Sequence, residues 1–359
     1  MADFPTTLDT ITPAFLSGIL GAEVSAVRGG LVPAQGAVST AARLELDYAP
    51  GSEGPATAFA KWSAPIEAVR KMAAENGMYR REVRFYLDLA DSSEVAVPAC
   101  YFAGYDRDTD EFLLILEDLS ESRVGSFYAS SLDDVRAVVE ALPAFHARWW
   151  NNPELDRIRW LFPADHPAVT AGLQASLAAA LPATASRFPE HFQGTLSEVA
   201  STLAEGFAGV VERYVTSPTT LVHSDLHLQQ VFFPTALGGR FAIFDWQTVA
   251  RGFAGQDLAR VVAMCLDTDT RRTHERDLVT SYHGGLVAHG VNDYSLDDCW
   301  NDYRLGLTWS VLLNVIAGAS INREAMDADA AEHGTTLADT FFGRLDRALD
   351  DLEVRELLS

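Results

Sequence analysis

The most informative part of this chain is LVHSDLHLQQVFFPTALGGRFAIFDW, which spans residues 221–246. Two short apolar runs in it lead to isolated aspartates, Asp225 and Asp245, and a Gly-Gly turn joins the two runs. Gln230 follows Asp225 after a short interval. In phosphoryl transfer an aspartate orients the attacking hydroxyl, while an amide and a second aspartate hold magnesium against the nucleotide phosphates. The segment therefore predicts a site for phosphoryl transfer.

Length and composition set the class of the protein and the number of its structural units. A chain of 359 residues with 48% hydrophobic and 21% charged residues is typical of a soluble globular protein. It exceeds the size at which a single core usually stops growing. We therefore expect two units, residues 1–118 and 119–359. No pattern in the sequence indicates an oligomeric state.

Charge, cysteine usage and hydropathy disfavour several classes of protein. A net charge of −23 would repel nucleic acid and steer a cationic substrate, although an acidic surface that maintains solubility is the simpler explanation. Cys100, Cys265 and Cys299 lack the spacing of a disulfide framework or a zinc knuckle. The sequence shows no signal peptide, and the apolar run at residues 305–319 is too short to span a bilayer. We expect a cytoplasmic protein with no nucleic acid or membrane partner.

Lysine is rare in this chain, so its positions are informative. Of the 27 basic residues only Lys61 and Lys71 are lysines. Lysine provides a compact point charge, whereas arginine provides a planar fork. Residues 56–62 have the alternation of a strand, with Lys61 near its end. Lys61 is thus a candidate phosphate ligand, and an exposed lysine at a strand end is the alternative.

An acidic residue on the next helix is the candidate partner of Lys61. The spacing predicts a helix over residues 78–90, and Glu82 lies within its apolar stripe. A carboxylate in such surroundings is costly unless a cation meets it. Three arginines on the same helix are alternative partners: Arg80, Arg81 and Arg84.

Two further segments of the first unit could bind a nucleotide through the backbone. Predicted strands at 24–27 and 41–48 flank a loop at 29–39. The backbone amide of Gly36 in this loop could donate to a phosphate. No GxG pair, the usual mark of a nucleotide-binding glycine loop, occurs in the chain. A predicted strand at 112–116 runs into Glu117 and Leu119, which suits a hinge whose backbone reads adenine. Any linker between two units would have the same pattern.

Beyond this hinge the apolar spacing is that of helices. The predicted helical segments are residues 132–150, 173–181, 196–214, 257–266, 276–290, 296–319 and 336–352. A small, mainly β first part and a larger, mainly α remainder predict an α+β protein with the bilobal layout of protein kinases.

Several motifs carry a resemblance to a known family. HSDLHLQQ at residues 223–230 resembles the HGDxHxxN catalytic loop of the aminoglycoside phosphotransferase and choline kinase-like superfamily. Three later motifs, DWQ, RG and DLA, resemble the motifs found in the same order in the ecdysteroid kinase-like branch of this superfamily. The supporting segments are DWQ at 245–247, RG at 251–252, DLA at 257–259, FHARWW at 145–150 and DYR at 302–304.

The resemblance implies a kinase that uses ATP and magnesium to phosphorylate a hydroxyl of a small molecule such as an aminoglycoside, an amino sugar or another alcohol. It implies that Asp225 is the catalytic aspartate and that Gln230 and Asp245 bind the magnesium ion. It also implies that Lys61, anchored by Glu82, binds the nucleotide phosphates.

The same resemblance assigns supporting roles within the catalytic loop. His227 occupies the place of a protein kinase lysine and would meet the γ-phosphate, although a packed loop histidine is an alternative. His223 would buttress the loop, and Asp257 would brace it.

Two residues of the loop differ from the family's motif. Ser224 replaces the family's glycine, which is tolerable unless the position needs a positive φ. Gln230 replaces asparagine, which offers the same carbonyl oxygen on a longer side chain.

Two alternative functions follow from the same residues. Gln230 and the poor glycine loop also suit a pseudokinase that binds nucleotide without turnover. On a strand, His223, Asp225 and His227 would share one face and could bind zinc for a metallohydrolase.

Overall fold

Two compact units make up the part of the chain that the structure describes. The computed structural model describes residues 3–32 and 38–358, without the side chain of residue 325. The first unit contains Met1–Arg123 and Phe232–Thr248, and the second contains Val124–Val231 and Val249–Ser359. The first unit therefore includes a late segment that carries Asp245, a placement that the order of residues along the chain does not indicate.

A five-stranded antiparallel sheet forms the centre of the first unit. Its strands are β1 (Val24–Leu31), β2 (Ser39–Tyr48), β3 (Thr57–Ser63), β4 (Cys100–Asp106) and β5 (Glu111–Glu117), in the order β1-β2-β3-β5-β4. The sequence predicts a loop from Gly29, but β1 continues to Leu31, and Gly29 pairs with Leu44 of β2. Gly36 lies outside the described residues.

The helices of the first unit are α1 (Pro13–Leu20), α2 (Glu67–Glu75) and α3 (Met78–Asp88). Burial alternates along β3, so that Ala58, Ala60 and Trp62 enter the same apolar core as Leu16 of α1. The period of two in a strand directs the residues between them to the opposite face of the sheet. Lys61 is one of these residues, and α3 packs against β4 and β5 of the same sheet.

The second unit is mainly helical. Its helices are α4 (Leu132–Trp149), α5 (Pro167–Arg187), α6 (Thr195–Tyr214), α7 (Gly255–Cys265), α8 (Thr268–Ala288), α9 (Leu296–Gly318), α10 (Arg323–Glu332) and α11 (Arg344–Asp351). A small three-stranded sheet, most of whose residues belong to the first unit, has the order β6-β8-β9, and its strands are β6 (Arg123–Val124), β8 (Val231–Phe233) and β9 (Ala242–Ile243). A separate two-stranded antiparallel sheet joins β7 (Thr219–Val222) to β10 (Ala250–Phe253).

Helices α7 and α9 cross at very short range because two glycines meet at the crossing. A Cβ atom on Gly306 of α9 would overlap the carbonyl of Gly255 on α7. Every residue of α7 is buried. This crossing places α7 in the interior of the second unit, directly beside α9.

One helix among the described residues, α5, is long and apolar enough to cross a membrane by length and composition alone. It has 21 residues and a mean hydropathy of 1.2, and 22% of that window is buried. The sequence predicts a helix over residues 173–181, which lie within α5, but the apolar run that it singles out is at residues 305–319. A single helix of this kind is weak evidence, because core helices of soluble proteins share these properties.

The predicted fold class is confirmed. The first unit combines a sheet with a few helices, and the second is built mainly from helices, as the change in apolar spacing along the sequence predicts. The protein has an α+β fold with a mainly β part and a larger, mainly α part.

Candidate active site

The residues predicted to act in catalysis fall into two groups, one in each unit. Lys61, Glu82 and Asp245 lie in the first unit. Asp225, His227 and Gln230 lie in the second, together with the rest of the predicted catalytic loop.

Lys61 binds two carboxylates at once. Its Nζ donates to both oxygens of Glu82, at 2.8 Å each, and to Oδ1 of Asp245 at 2.7 Å. The predicted Lys61–Glu82 contact is therefore confirmed. Burial lowers the pKa of Lys61, but the charges of Asp245 and Glu82 raise it further, so the net pKa lies above the usual value. The lysine is held in its charged form.

Helix α3 also fixes the backbone around Asp245. The ring of Phe85 stacks on that of Trp246, with centroids 4.0 Å apart and planes inclined by 7°. Arg81 Nε donates to the carbonyl of Gln247 at 3.0 Å, and Gln247 Nε2 donates to Asp245 Oδ2 at 3.3 Å. One face of α3 thus supports both the lysine and the aspartate that the lysine binds.

The predicted hinge residues are engaged within the first unit. The carboxylate of Glu117 accepts hydrogen bonds from Arg240 and from the backbone N–H of Ala99. Leu119 is buried, and its carbonyl accepts from the N–H of Ser122 at 2.9 Å. Any contact that Glu117 makes with a nucleotide base would therefore use its backbone.

In the second unit the predicted catalytic loop begins where β7 ends at Val222. The backbone N–H groups of His223 and Ser224 donate to the two carboxylate oxygens of Asp257, at 2.7 and 2.8 Å. Trp309 Nε1 donates to the carbonyl of Ser224 at 2.7 Å. These bonds confirm that Asp257, a fully buried residue of α7, braces the loop.

The backbone of Ser224 adopts the conformation that the family's glycine would favour. Its φ is 72°, in the left-handed region that residues with a Cβ rarely occupy. Its Oγ is buried and has no hydrogen-bond partner among the described residues. The replacement of glycine by serine therefore strains this turn.

Asp225 is paired with an arginine that the sequence analysis did not single out. Arg260 donates from Nε at 3.0 Å and from Nη2 at 2.7 Å to the same oxygen, Oδ1. Burial raises the pKa of Asp225, but the charge of Arg260, followed by those of His227 and His223, lowers it to a net value below the usual range. One feature of the sequence does indicate Arg260: it directly follows DLA, and the residues after it in the same helix, 261–265, are apolar. A charged residue in such surroundings needs a partner.

The other loop residues have local partners. The ring of His227 lies with its centroid 5.3 Å from that of Phe127. Gln230 is buried, and its Oε1 accepts from the backbone N–H of His227 at 3.2 Å. An amide oxygen has a second lone pair, so this bond does not use the whole acceptor capacity of the Gln230 oxygen.

Each of the two predicted metal ligands, one in each unit, carries an oxygen donor that suits magnesium better than zinc. Gln230 and Asp245 offer amide and carboxylate oxygens, the ligands that magnesium prefers. Residues 223–227 form a turn, not a strand, so the shared face required for a zinc site at His223, Asp225 and His227 does not exist. Among the side chains that the structure describes, no cluster of three or more His, Cys, Asp or Glu could hold a metal.

The fold of the whole chain is shared with several solved structures. A Ralstonia eutropha protein assigned to the aminoglycoside phosphotransferases matches with a TM-score of 0.55 and 12% identity, over 95% of this chain and 97% of that one. Ethanolamine kinase from Plasmodium vivax matches with a TM-score of 0.51 and 10% identity, over 89% and 81%. A choline kinase from Streptococcus pneumoniae has a TM-score of 0.50 and 12% identity, over 94% and 96%. At these identities the matches show the fold.

No curated protein sequence matches the chain. The model of the ecdysteroid kinase-like family matches residues 33–291, a range that includes both groups of candidate residues. The match covers well over half of the sequence, and the chain belongs to the ecdysteroid kinase-like family.

Proposed function

We propose that this protein is a phosphotransferase that uses ATP and magnesium to phosphorylate a hydroxyl of a small molecule. The observation that carries the proposal is the contact of Lys61 with both Glu82 and Asp245. In a chain that uses arginine almost everywhere, a lysine with only 12% of its side chain exposed lies between two carboxylates. Kinases hold nucleotide phosphates with a strand lysine that a helix glutamate anchors. The family match and the shared fold support the same conclusion.

The first unit supplies the groups that bind the nucleotide. Lys61 would contact the phosphates, and Glu82 would keep its ammonium group in position. The backbone of Glu117 and Leu119 is the proposed adenine contact, and the amide of Gly36 a further phosphate contact. Asp245 is the proposed magnesium ligand of this unit, and the magnesium would neutralise charge on the phosphates.

The second unit supplies the groups that act on the acceptor. As the acceptor oxygen forms its bond to the γ-phosphorus, the bond from that phosphorus to the ADP oxygen breaks, and the hydroxyl proton passes to the carboxylate of Asp225. Ionised Asp225 is suited to this role, since its pKa lies below the usual range. His227 would meet the γ-phosphate from the same loop.

The chemistry of the acceptor can be narrowed to a few classes. The solved structures that share the fold include kinases of ethanolamine and choline, which are amino alcohols. A net charge of −23 also favours a cationic acceptor. The family description points instead to a steroid alcohol. We place the enzyme in the cytoplasm, where its three unpaired cysteines would stay reduced.

A pseudokinase is a second candidate, and one observation favours it. The side-chain oxygen of Gln230 already accepts a hydrogen bond from the loop backbone, so it would bind a metal ion more weakly than the oxygen of a free amide. Tight ATP binding that does not require magnesium, with no phosphate transfer, would support this alternative.

The test is ADP release from ATP and magnesium across a panel of aminoglycosides, amino sugars, choline, ethanolamine, macrolides and sterols. The Asp225→Ala protein serves as the control. We expect release that depends on one class of acceptor and is lost in the variant. Nucleotide binding without transfer to any acceptor would favour the pseudokinase, and the absence of nucleotide binding would overturn the proposal.

A further inference from the structure

The Asp225 carboxylate is bound asymmetrically. Oδ1 accepts two hydrogen bonds from Arg260, from Nε and from Nη2. The side chain of Asp225 is 26% exposed, whereas that of Arg260 is only 5% exposed. Arg260 therefore binds one oxygen of Asp225 from the interior of the second unit, and part of the Asp225 side chain stays exposed to solvent.

The guanidinium of Arg260 is itself held in one orientation. Its Nη1 donates to Oδ1 of Asn314 at 2.6 Å, and Asn314 Nδ2 donates to the carbonyl of Phe341 at 2.6 Å. Asn314 is fully buried on α9, the helix that packs against α7. Because the planar guanidinium of Arg260 is bound by Asp225 on one side and by Asn314 on the other, it fixes the orientation of the Asp225 carboxylate. A flexible ammonium group could not do so.

The charges that face Asp225 come from its own loop and from α7. His223 and His227 lie on the loop, and Arg260 lies on α7. Cys265, also on α7, has its pKa raised to about 11 by burial and is a neutral thiol at pH 7. Arg260 is thus the permanent positive charge beside this carboxylate.

We propose that Arg260 is a positioning residue for phosphoryl transfer: it holds Asp225 through Oδ1, so that Oδ2 faces the acceptor hydroxyl and receives its proton. This inference rests on the proposed function. Arg260 is not a phosphate ligand in this account, since its guanidinium is buried and its donors are directed at Asp225 and Asn314. Its loss should therefore affect turnover and leave ATP binding intact.

The test compares Arg260→Gln and Arg260→Lys with a matched control, Arg271→Gln. Arg271 is an equally buried arginine of the second unit, but it pairs with Glu275 and Asp351. Turnover is measured as ADP release from ATP and magnesium, with water and with the best acceptor of the panel. We expect kcat to fall on the order of 100-fold in Arg260→Gln, with the KM for ATP unchanged. Arg260→Lys should recover part of the loss, and Arg271→Gln should keep the kcat of the wild type.

The pH profile provides a readout that a loss of stability would not move. Without Arg260 the buried carboxylate of Asp225 loses its main counter-charge, and its pKa should rise. The acid limb of kcat/KM should therefore shift to higher pH in Arg260→Gln but not in Arg271→Gln. If Arg260→Gln does not fold, Asn314→Leu, which releases only the far end of the guanidinium, should show a smaller shift in the same direction.

Three outcomes would overturn the inference. A folded Arg260→Gln protein with the kcat and acid limb of the wild type would remove the role of Arg260 and leave the proposed function intact. Equal losses in Arg260→Gln and Arg271→Gln would show that Arg260 acts only on stability. A wild-type protein that releases no ADP, with water or with any acceptor, would overturn the proposed function and this role with it.

Discussion

Phe85 and Trp246 stack face to face, with ring centroids 4.0 Å apart. Phe85 lies on the same helix as Glu82, and Trp246 directly follows Asp245. The stack therefore ties the helix that anchors Lys61 to the segment that carries the proposed metal ligand. A displacement of α3 would disturb both ends of the ion pairs around Lys61.

Substitution of Phe85 by leucine should weaken this coupling. The loss of an aromatic stack and the change of shape should destabilise the protein by about 1–2 kcal/mol, as measured by urea unfolding. The magnesium concentration needed for half-maximal turnover should rise, because Asp245 is held less well. Phe112→Leu is the control, since Phe112 is equally buried and stacks on Tyr79. An equal effect of both substitutions on the magnesium requirement would contradict the coupling.

Replacement of Lys61 by arginine should abolish most activity. The planar guanidinium cannot place one donor group against Glu82 and Asp245 as the ammonium does. We expect kcat/KM for ATP to fall on the order of 100-fold or more, as for a misplaced catalytic group. The matched control is Lys71→Arg, since Lys71 is exposed and pairs with Glu67 on its own helix. Rates near those of the wild type in Lys61→Arg would count against a phosphate-binding role.

The two aspartates should each be required for turnover. Asp225→Ala removes the group that receives the hydroxyl proton, and Asp245→Ala removes the proposed metal ligand. General base catalysis typically contributes about 100- to 10,000-fold, so a loss in that range is expected for Asp225→Ala. Asp269→Ala, at a fully exposed carboxylate of α8, is the control. Substantial residual turnover in either active-site variant would reject the assignment of that residue.

Ser224 offers a test of backbone strain. A residue with a Cβ in the left-handed region costs roughly 1–2 kcal/mol, and the buried Oγ lacks a partner among the described residues. Ser224→Gly should therefore raise the free energy of unfolding by up to about 1 kcal/mol, after the entropy cost of glycine. Ser224→Ala keeps the strained φ and should gain less. If the alanine variant is as stable as the glycine variant, φ strain is not the cause.

Much of the first unit could be predicted from local sequence patterns. The alternation of β3 and the rarity of lysine indicate Lys61, and the apolar stripe of α3 indicates Glu82. These signals are local, because one strand and one helix determine which way each side chain points. The contact between the two residues then follows from the cost of burying either charge alone.

Contacts that join distant parts of the chain could not be predicted in this way. Arg260 of α7 binds Asp225 of the loop that follows β7, and no periodicity in the sequence encodes a contact between residues 35 positions apart. The positive φ of Ser224 likewise depends on bonds to Asp257 and Trp309, which come from two different helices. Such features follow from tertiary packing.

The most direct test of the central claim is transfer of the labelled γ-phosphoryl group of ATP to an acceptor from the panel, detected on the isolated product. The wild-type protein with magnesium should produce a phosphorylated acceptor, and the Asp225→Ala protein should produce none. A phosphorylated product formed equally by both proteins would contradict the role of Asp225. Failure of the wild-type protein to bind ATP at all would contradict the account as a whole.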